Sequence, residues 1–96
     1  MVESATTRRQ ARQLGEFVRV WRKLLNLRMD DLCERANISR STLTRIENGH
    51  PGVSLGAFLE VVRCLGQLNT LVAALDPYET DLGRARADMQ LPERVR

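Results

Sequence analysis

The chain has 96 residues and 43% apolar content, which suits one compact domain with tails. Its formal charge of +3, from fifteen basic and twelve acidic residues, is too mild to separate a nucleic-acid-binding protein from any other basic protein. Residues 1–50 hold ten Arg or Lys against six Asp or Glu, so any phosphate-binding surface belongs to this half.

Several protein classes conflict with the composition. Cys33 and Cys64 fall inside helical patterns without metal-ligand or disulfide spacing, which predicts two free, mostly buried thiols in a reducing cytoplasm. No apolar stretch resembles a signal peptide or a membrane span of about eighteen residues. With one His, one Tyr, one Trp and no Gly-rich phosphate loop, the sequence argues against an enzyme. We expect no cofactor, no metal and no membrane partner.

The first predicted helix covers about residues 7–26. Apolar residues recur there at the three-and-four spacing of a helix, which predicts one inward face: Leu14, Phe17, Val18, Trp21, Leu24 and Leu25. Basic residues fill the other side: Arg8, Arg9, Arg12, Arg19, Arg22 and Lys23. Two interpretations of this basic face are equally good: a surface exposed to solvent, or a surface that contacts phosphates.

Two short helices with a sharp turn between them follow. Met29–Ala36 has Asp30 and Asp31 in its first turn, where the helix dipole favours acidic groups. Asn37 suits a left-handed helix end, and Ser39 is a good N-cap for a helix over 40–48. The periodicity predicts these inward residues: Leu32, Cys33, Ala36, Leu43 and Ile46. It leaves Arg40, Ser41, Thr44 and Arg45 outside.

The C-terminal half begins with turn signals in residues 48–52. Ser54 then starts a helix that Gly66 ends, with these apolar residues on one face: Leu55, Phe58, Leu59, Val62 and Leu65. Over residues 67–73, Leu68, Thr70 and Val72 alternate with their neighbours, which favours a short strand. Residues 76–96 have few large apolar side chains, which predicts a polar, loosely packed tail.

Two short helices around a tight turn, the second with a polar outer face, form a helix-turn-helix pattern. The major groove of DNA admits a helix and displays a distinct donor and acceptor edge for each base pair. Arg40 and Arg45 can each offer paired donors to guanine, while Ser41 and Thr44 can donate or accept, and the Thr44 methyl can meet thymine. Outward Arg side chains are usually only solvated, so spacing alone leaves both interpretations open.

Three stretches, 14–19, 29–33 and 38–49, resemble the Cro and phage-repressor type of helix-turn-helix, the XRE family. The resemblance covers residues 14–65 and implies an all-α, five-helix, lambda-repressor-like domain. It implies that the following residues face DNA: Ser39, Arg40, Ser41, Thr44 and Arg45. It also implies that Glu47 is a structural partner inside the domain and that Asn48 lies near backbone phosphates.

The chain departs from the family pattern at the start of the second helix. The family commonly has Ser or Thr followed by a phosphate-binding Gln where Arg28 and Met29 stand. Met29 cannot hydrogen-bond in that way, so we expect Arg28 to make the phosphate contact. Basic residues often found after Gly49 are replaced by His50 and Pro51, which puts backbone anchoring on that side in doubt.

Residues 66–72 are similar to the segment after the last helix in HipB-type antitoxins, XRE proteins that pair with HipA-type kinase toxins. In those relatives the segment forms a strand that pairs with its twin in the other subunit. A fifth helix or an irregular dimer arm is the alternative here. The resemblance implies a homodimer through Gln67, Leu68, Asn69, Thr70, Leu71, Val72 and Ala73. We therefore predict a helix-turn-helix domain over 1–75, with core 14–65 and dimerisation segment 67–73, and a tail over 76–96.

The leading hypothesis is a homodimeric transcriptional repressor on a palindromic double-stranded operator, in the nucleoid of a bacterial or phage-like cytoplasm. Its narrower form is the autoregulating antitoxin of a HipA-type kinase toxin. The rival from another class is a protein-interaction module that sequesters a toxin or other partner without binding DNA. An enzyme is the third alternative, and the argument for it would be a conserved acid and base pair, which a single sequence does not show.

Overall fold

The computed structural model describes residues 2–91 as an all-helical chain. Its α-helices are α1 (Ala5–Leu24), α2 (Met29–Ala36), α3 (Arg40–Glu47), α4 (Leu55–Cys64), α5 (Leu68–Leu75) and α6 (Asp81–Gln90). A short 3-10 helix, Pro77–Glu79, lies between α5 and α6. The helices predicted over 7–26, 29–36, 40–48 and from Ser54 to Leu65 are confirmed to within about two residues, the usual uncertainty of a helix end.

One apolar core joins the first four helices. It consists of Val18, Leu32, Cys33, Ala36, Leu43, Ile46, Val61 and Leu65, all buried. α1 packs against α3, and α2 packs against both α3 and α4. The inward residues predicted for α2 and α3 are therefore confirmed, and the two helices of the predicted helix-turn-helix sit on a common core.

The inward face predicted for α1 is largely wrong. Val18 is buried, whereas the other five predicted residues are exposed: Leu14, Phe17, Trp21, Leu24 and Leu25. The helix turns its Gly15 and Val18 side toward the core because that side can approach α3 closely. In α4, Leu55 is exposed although its spacing predicted burial, and Val61 is fully buried instead.

The strand predicted over 67–73 is wrong, and the fifth-helix alternative holds. α5 contains Leu71, Ala73, Ala74 and Leu75, which are strong helix formers, and this preference outweighs the alternation of Thr70 and Val72. Leu68 and Leu71 lie three residues apart and are both half-buried, as one face of a helix requires.

The segment predicted as a loosely packed tail contains regular structure in its described part. Asp76 caps the 3-10 helix by accepting the Tyr78 backbone N–H at 2.9 Å. Thr80 caps α6 by accepting the Gly83 N–H at 2.9 Å, and Arg84 donates to the Tyr78 carbonyl oxygen at 2.6 Å. α6 packs mainly against the 3-10 helix and buries Ala87. Residues 92–96 lie outside the described residues.

Candidate nucleic-acid interface

The turn between α2 and α3 fixes the direction in which α3 leaves the core. Asn37 takes the left-handed conformation, with φ 55° and ψ 50°, and its N–H bonds back to the last turn of α2. Ser39 is the N-cap of α3, and its hydroxyl oxygen accepts the Thr42 N–H at 3.1 Å. Both roles match the sequence prediction, because Asn tolerates a positive φ and Ser caps exposed N–H groups.

Close backbone approach holds the C-terminal end of α3 against α1. A Cβ added at Gly15 would lie 2.5 Å from the Ile46 carbonyl oxygen and 2.7 Å from that of Glu47. Gly49 has φ +74° and lies against the α1 backbone at Arg12. Any side chain at either glycine would push the two segments apart, so both glycines are needed to place α3.

A buried ion pair makes the second connection between α1 and α3. The Arg22 Nε–H donates to Glu47 Oε2 at 2.7 Å, and Nη2 donates to Oε1 at 3.2 Å. Arg19 Nε lies 3.6 Å from the same carboxylate. Glu47 is buried, so the role of structural partner expected for it agrees with its position.

All seven residues predicted to contact DNA are exposed: Arg28, Ser39, Arg40, Ser41, Thr44, Arg45 and Asn48. Five of them, within and just after α3, share one face of the helix. At a rotation of about 100° per residue, an arc of about 140° contains Arg40, Thr44, Asn48, Ser41 and Arg45. Leu43 and Ile46 occupy the opposite, buried side. The arrangement offers a short polar helix face, wide enough for contact with base edges in a major groove.

Two neighbours contact the arginines of this face. Arg40 Nη1 donates to Asp30 Oδ1 at 2.6 Å, which joins the first turns of α2 and α3. Arg45 Nη2 lies 3.5 Å from His50 Nδ1, and His50 Nδ1 also accepts the Gly52 N–H at 3.0 Å. His50 therefore folds the loop after α3 back onto itself beside Arg45.

Arg28 stands at the N-cap of α2, next to the first turn of that helix. Its backbone N–H donates to Asp31 Oδ2 at 2.9 Å, and its Nε–H donates to the same oxygen at 3.3 Å. These hydrogen bonds lower the pKa of Asp31, and the side-chain hydrogen bond to Asp31 raises the pKa of Arg28. The Arg28 side chain remains 85% exposed, so it can also reach an outside anion.

The side chains that hold the interface are paired through tertiary contacts, which local sequence patterns do not contain. The helical spacing places Arg22 on the basic outer side of α1, whereas its side chain bonds Glu47 across 25 positions of sequence. In the sequence, the helix dipole accounts for Asp30, whereas its contact with Arg40 depends on how α2 and α3 cross. For the packing of α1 on α3, the usable sequence signal is Gly15, since a glycine inside a helix lets another backbone approach where a side chain would block it.

No helix in the described part of the chain is long and apolar enough to cross a membrane. No curated protein and no solved structure matches the chain. A family model described as a helix-turn-helix domain matches residues 13–87, which include α2, α3 and the turn between them. The chain therefore belongs to the helix-turn-helix domain family, within its XRE-like group.

Proposed function

We propose that the protein is a sequence-specific DNA-binding transcriptional repressor that inserts α3 into the major groove. The observation that carries the proposal is the exposed polar face of α3, which presents Arg40 and Arg45 from a helix fixed at both ends. A reading helix needs such fixation, because base contacts depend on side chains held at defined positions. The family membership supports a DNA-binding regulator.

The residues of the interface divide into two roles under this proposal. Arg40 and Arg45 read guanine edges, and Ser41 and Thr44 contact neighbouring bases. Arg28, Ser39 and Asn48 lie at helix ends, where contact with backbone phosphates positions the helix without reading sequence. The Ser39 hydroxyl oxygen accepts the Thr42 N–H and also lies 3.1 Å from the Ser41 hydroxyl and 2.9 Å from the Thr42 hydroxyl, so a phosphate would join an existing cluster of hydroxyl groups.

A homodimer on a palindromic operator completes the proposal. One two-turn helix covers too few base pairs for specificity, whereas two copies related by a twofold axis place their reading helices about 34 Å apart on one face of DNA. The proposed dimer contact remains the segment Gln67 to Ala73, now as part of α5.

An autoregulating antitoxin of a HipA-type kinase toxin is the narrower form of the proposal. It rests on the resemblance of residues 66–72 to HipB-type antitoxins. That support is reduced because the segment is a helix and the pairing strand of those relatives is missing from it. A repressor without a toxin fits the same interface.

Salt-dependent binding to duplex DNA tests the proposal against a protein-interaction module. A protein that neutralises phosphates releases counterions, so its affinity falls linearly with salt on logarithmic axes. Arg28→Ala should flatten this slope by about one unit and weaken binding to all sequences alike. Arg86→Ala removes the same charge from the exposed surface of α6 and should leave the slope unchanged. A protein-interaction module would bind no duplex DNA at any salt concentration in the series.

A further inference from the structure

The single histidine of the chain, His50, lies where the loop after α3 turns back. Its backbone N–H donates to the Arg45 carbonyl oxygen at 2.9 Å, which satisfies one of the free carbonyl groups at the C-terminal end of α3. Its ring contacts the same residue, because His50 Nδ1 lies 3.5 Å from Arg45 Nη2. His50 is therefore attached to Arg45 through both its backbone and its side chain.

The hydrogen bonds of the ring show which of its nitrogens carries the proton. The Gly52 backbone N–H can only donate, and its nitrogen lies 3.0 Å from His50 Nδ1. Nδ1 must therefore be the acceptor, and the proton of the neutral imidazole is on Nε2. A guanidinium has donors and no acceptor, so the contact with Arg45 is a donation from Nη2 to the same Nδ1.

Gly52 gives the ring the space for this position. A Cβ added at Gly52 would lie 2.8 Å from His50 Cε1 and 3.1 Å from His50 Nδ1. It would also lie 3.8 Å from Arg45 Nη2, so the glycine, the ring and the guanidinium meet at one point. A larger residue at position 52 would push the ring away from the guanidinium. The ring is thus held by the loop backbone as well as by Arg45.

The two arginines of the α3 face differ in the charge of their partners. Arg40 is bound by the Asp30 carboxylate, whose negative charge offsets that of the guanidinium. Arg45 donates to a neutral nitrogen, so its charge remains available to a guanine edge. Among the described residues no other group accepts from the Arg45 guanidinium, which leaves its remaining N–H groups for a base.

We infer that His50 is a positioning residue, which holds the Arg45 guanidinium on the polar face of α3 and thereby sets how strictly Arg45 selects its base. The inference rests on the proposed function and deepens it. A flexible side chain loses rotamer freedom when it binds, and one that is already held in the free protein loses less. Because a base is recognised by the direction of its donors and acceptors, a guanidinium held in one direction favours one base over the others.

The position of the ring can be tested without DNA. His50 gives the only imidazole signals in a nitrogen NMR spectrum, recorded at about pH 8.5, above the range in which histidine ordinarily gains its charge. We expect an unprotonated Nδ1 that is coupled to the Gly52 amide nitrogen across their hydrogen bond. Gly52→Ala should abolish this coupling while circular dichroism shows unchanged helix content. A wild-type protein without the coupling, or with its proton on Nδ1, would overturn the inference.

Variants of His50 test base selection, measured as the ratio of affinities for duplexes that differ at one base pair. The pair that Arg45 reads is the one at which Arg45→Ala loses its preference. There, His50→Ala should lower the ratio by about threefold or more, part of the roughly 5- to 150-fold that a two-point contact with guanine supplies. His50→Asn should keep most of the preference, because the asparagine Oδ1 is bonded to Cγ, as Nδ1 is, and can accept in its place. The ratio at the pair that Arg40 reads should stay unchanged in both variants.

Combining His50→Ala with Arg45→Ala separates positioning from direct contact with DNA. Once Arg45 is truncated, loss of the ring should change no base preference further, since both residues act through the same base pair. A further loss would show that His50 contacts DNA itself, which contradicts the inference. If His50→Ala keeps the full preference while the wild type reads DNA, the inference is wrong and the proposed function stands. If the coupling to Gly52 is present but no version binds DNA, the position of the ring stands, and base selection by Arg45 is overturned together with the proposed function.

Discussion

The Arg22 guanidinium and the Glu47 carboxylate form a two-point hydrogen-bonded pair, at 2.7 and 3.2 Å, between α1 and α3, the second helix of the helix-turn-helix. Both side chains are largely withdrawn from solvent, at 12% and 5% exposure. Arg22 Nη1 also donates to the Leu27 carbonyl oxygen at 3.1 Å, so one side chain joins α1, α3 and the loop before α2. The pair holds α3 from the side opposite its exposed polar face.

Arg22→Met should therefore destabilise the fold strongly. It leaves the Glu47 carboxylate buried, with only Arg19 nearby at 3.6 Å. Breaking a buried pair from one side costs about 3–5 kcal/mol, and urea unfolding measures the loss. The control Arg63→Met breaks the exposed Arg63–Glu60 pair of α4, which is worth about 0–1 kcal/mol. Equal losses in the two variants would show that the Arg22 pair adds nothing beyond a surface contact.

If Arg40 reads bases as proposed, Asp30 should compete with DNA for it, because the Asp30 carboxylate holds the Arg40 guanidinium at 2.6 Å on an exposed surface. Asp30→Asn removes a negative charge from the interface and releases Arg40. We expect affinity for unrelated duplexes to rise several-fold and the ratio of operator to unrelated binding to fall, since electrostatic contacts act without sequence preference. Glu34→Gln removes an exposed acidic charge from the same helix and should leave the ratio unchanged. An unchanged ratio for Asp30→Asn would show that the pair does not orient Arg40.

Truncation of two leucine residues should change the free energy of unfolding by different amounts. Leu43 is fully buried on the inner face of α3, whereas Leu24 is 66% exposed at the end of α1. Leu43→Ala should cost about 2–5 kcal/mol, because it opens a cavity in the core. Leu24→Ala should stay within about 0.5 kcal/mol, as surface changes do. Thermal unfolding of dilute protein compares them, and a large loss in Leu24→Ala would show that α1 packs differently.

Asp31 should contribute stability at neutral pH and lose it in acid. The backbone N–H and the side chain of Arg28 hold the pKa of Asp31 below its ordinary value. A lowered folded-state pKa gives stability above the unfolded pKa, which is lost as pH falls through the folded one. Asp31→Asn should lower the urea midpoint near neutral pH, and the difference from wild type should shrink as the solution is acidified. A difference that stays constant with pH would contradict the role of the charge.

Local sequence signals predict much of the fold and of the exposed polar face of α3. Asn37 and Ser39 mark the turn by their own backbone preferences, and Leu43 and Ile46 show the buried side of α3 by spacing. Periodicity alone cannot say which part of a broad apolar stripe meets the core, so it predicts Phe17 and Trp21 as buried although both are exposed. That choice depends on how closely Gly15 lets α1 approach α3.

Two other features depend on contacts that no local pattern contains. The alternation at Thr70 and Val72 favoured a strand, but a short strand needs a partner, whereas α5 forms its hydrogen bonds internally and packs against α4. The pairing of Arg22 with Glu47 requires knowing that α1 and α3 pack together. Both features follow from tertiary structure.

Selection of binding sites from random duplex DNA tests the central claim, that α3 reads bases. We predict an enriched inverted repeat with half-site centres about 10 base pairs apart. Arg40→Ala and Arg45→Ala should each lose preference at one pair of symmetry-related positions, at a cost of about 1–3 kcal/mol. Arg86→Ala, outside the interface, should select the same repeat as the wild type. If no sequence is enriched, or if both α3 variants select the wild-type repeat unchanged, α3 does not read DNA.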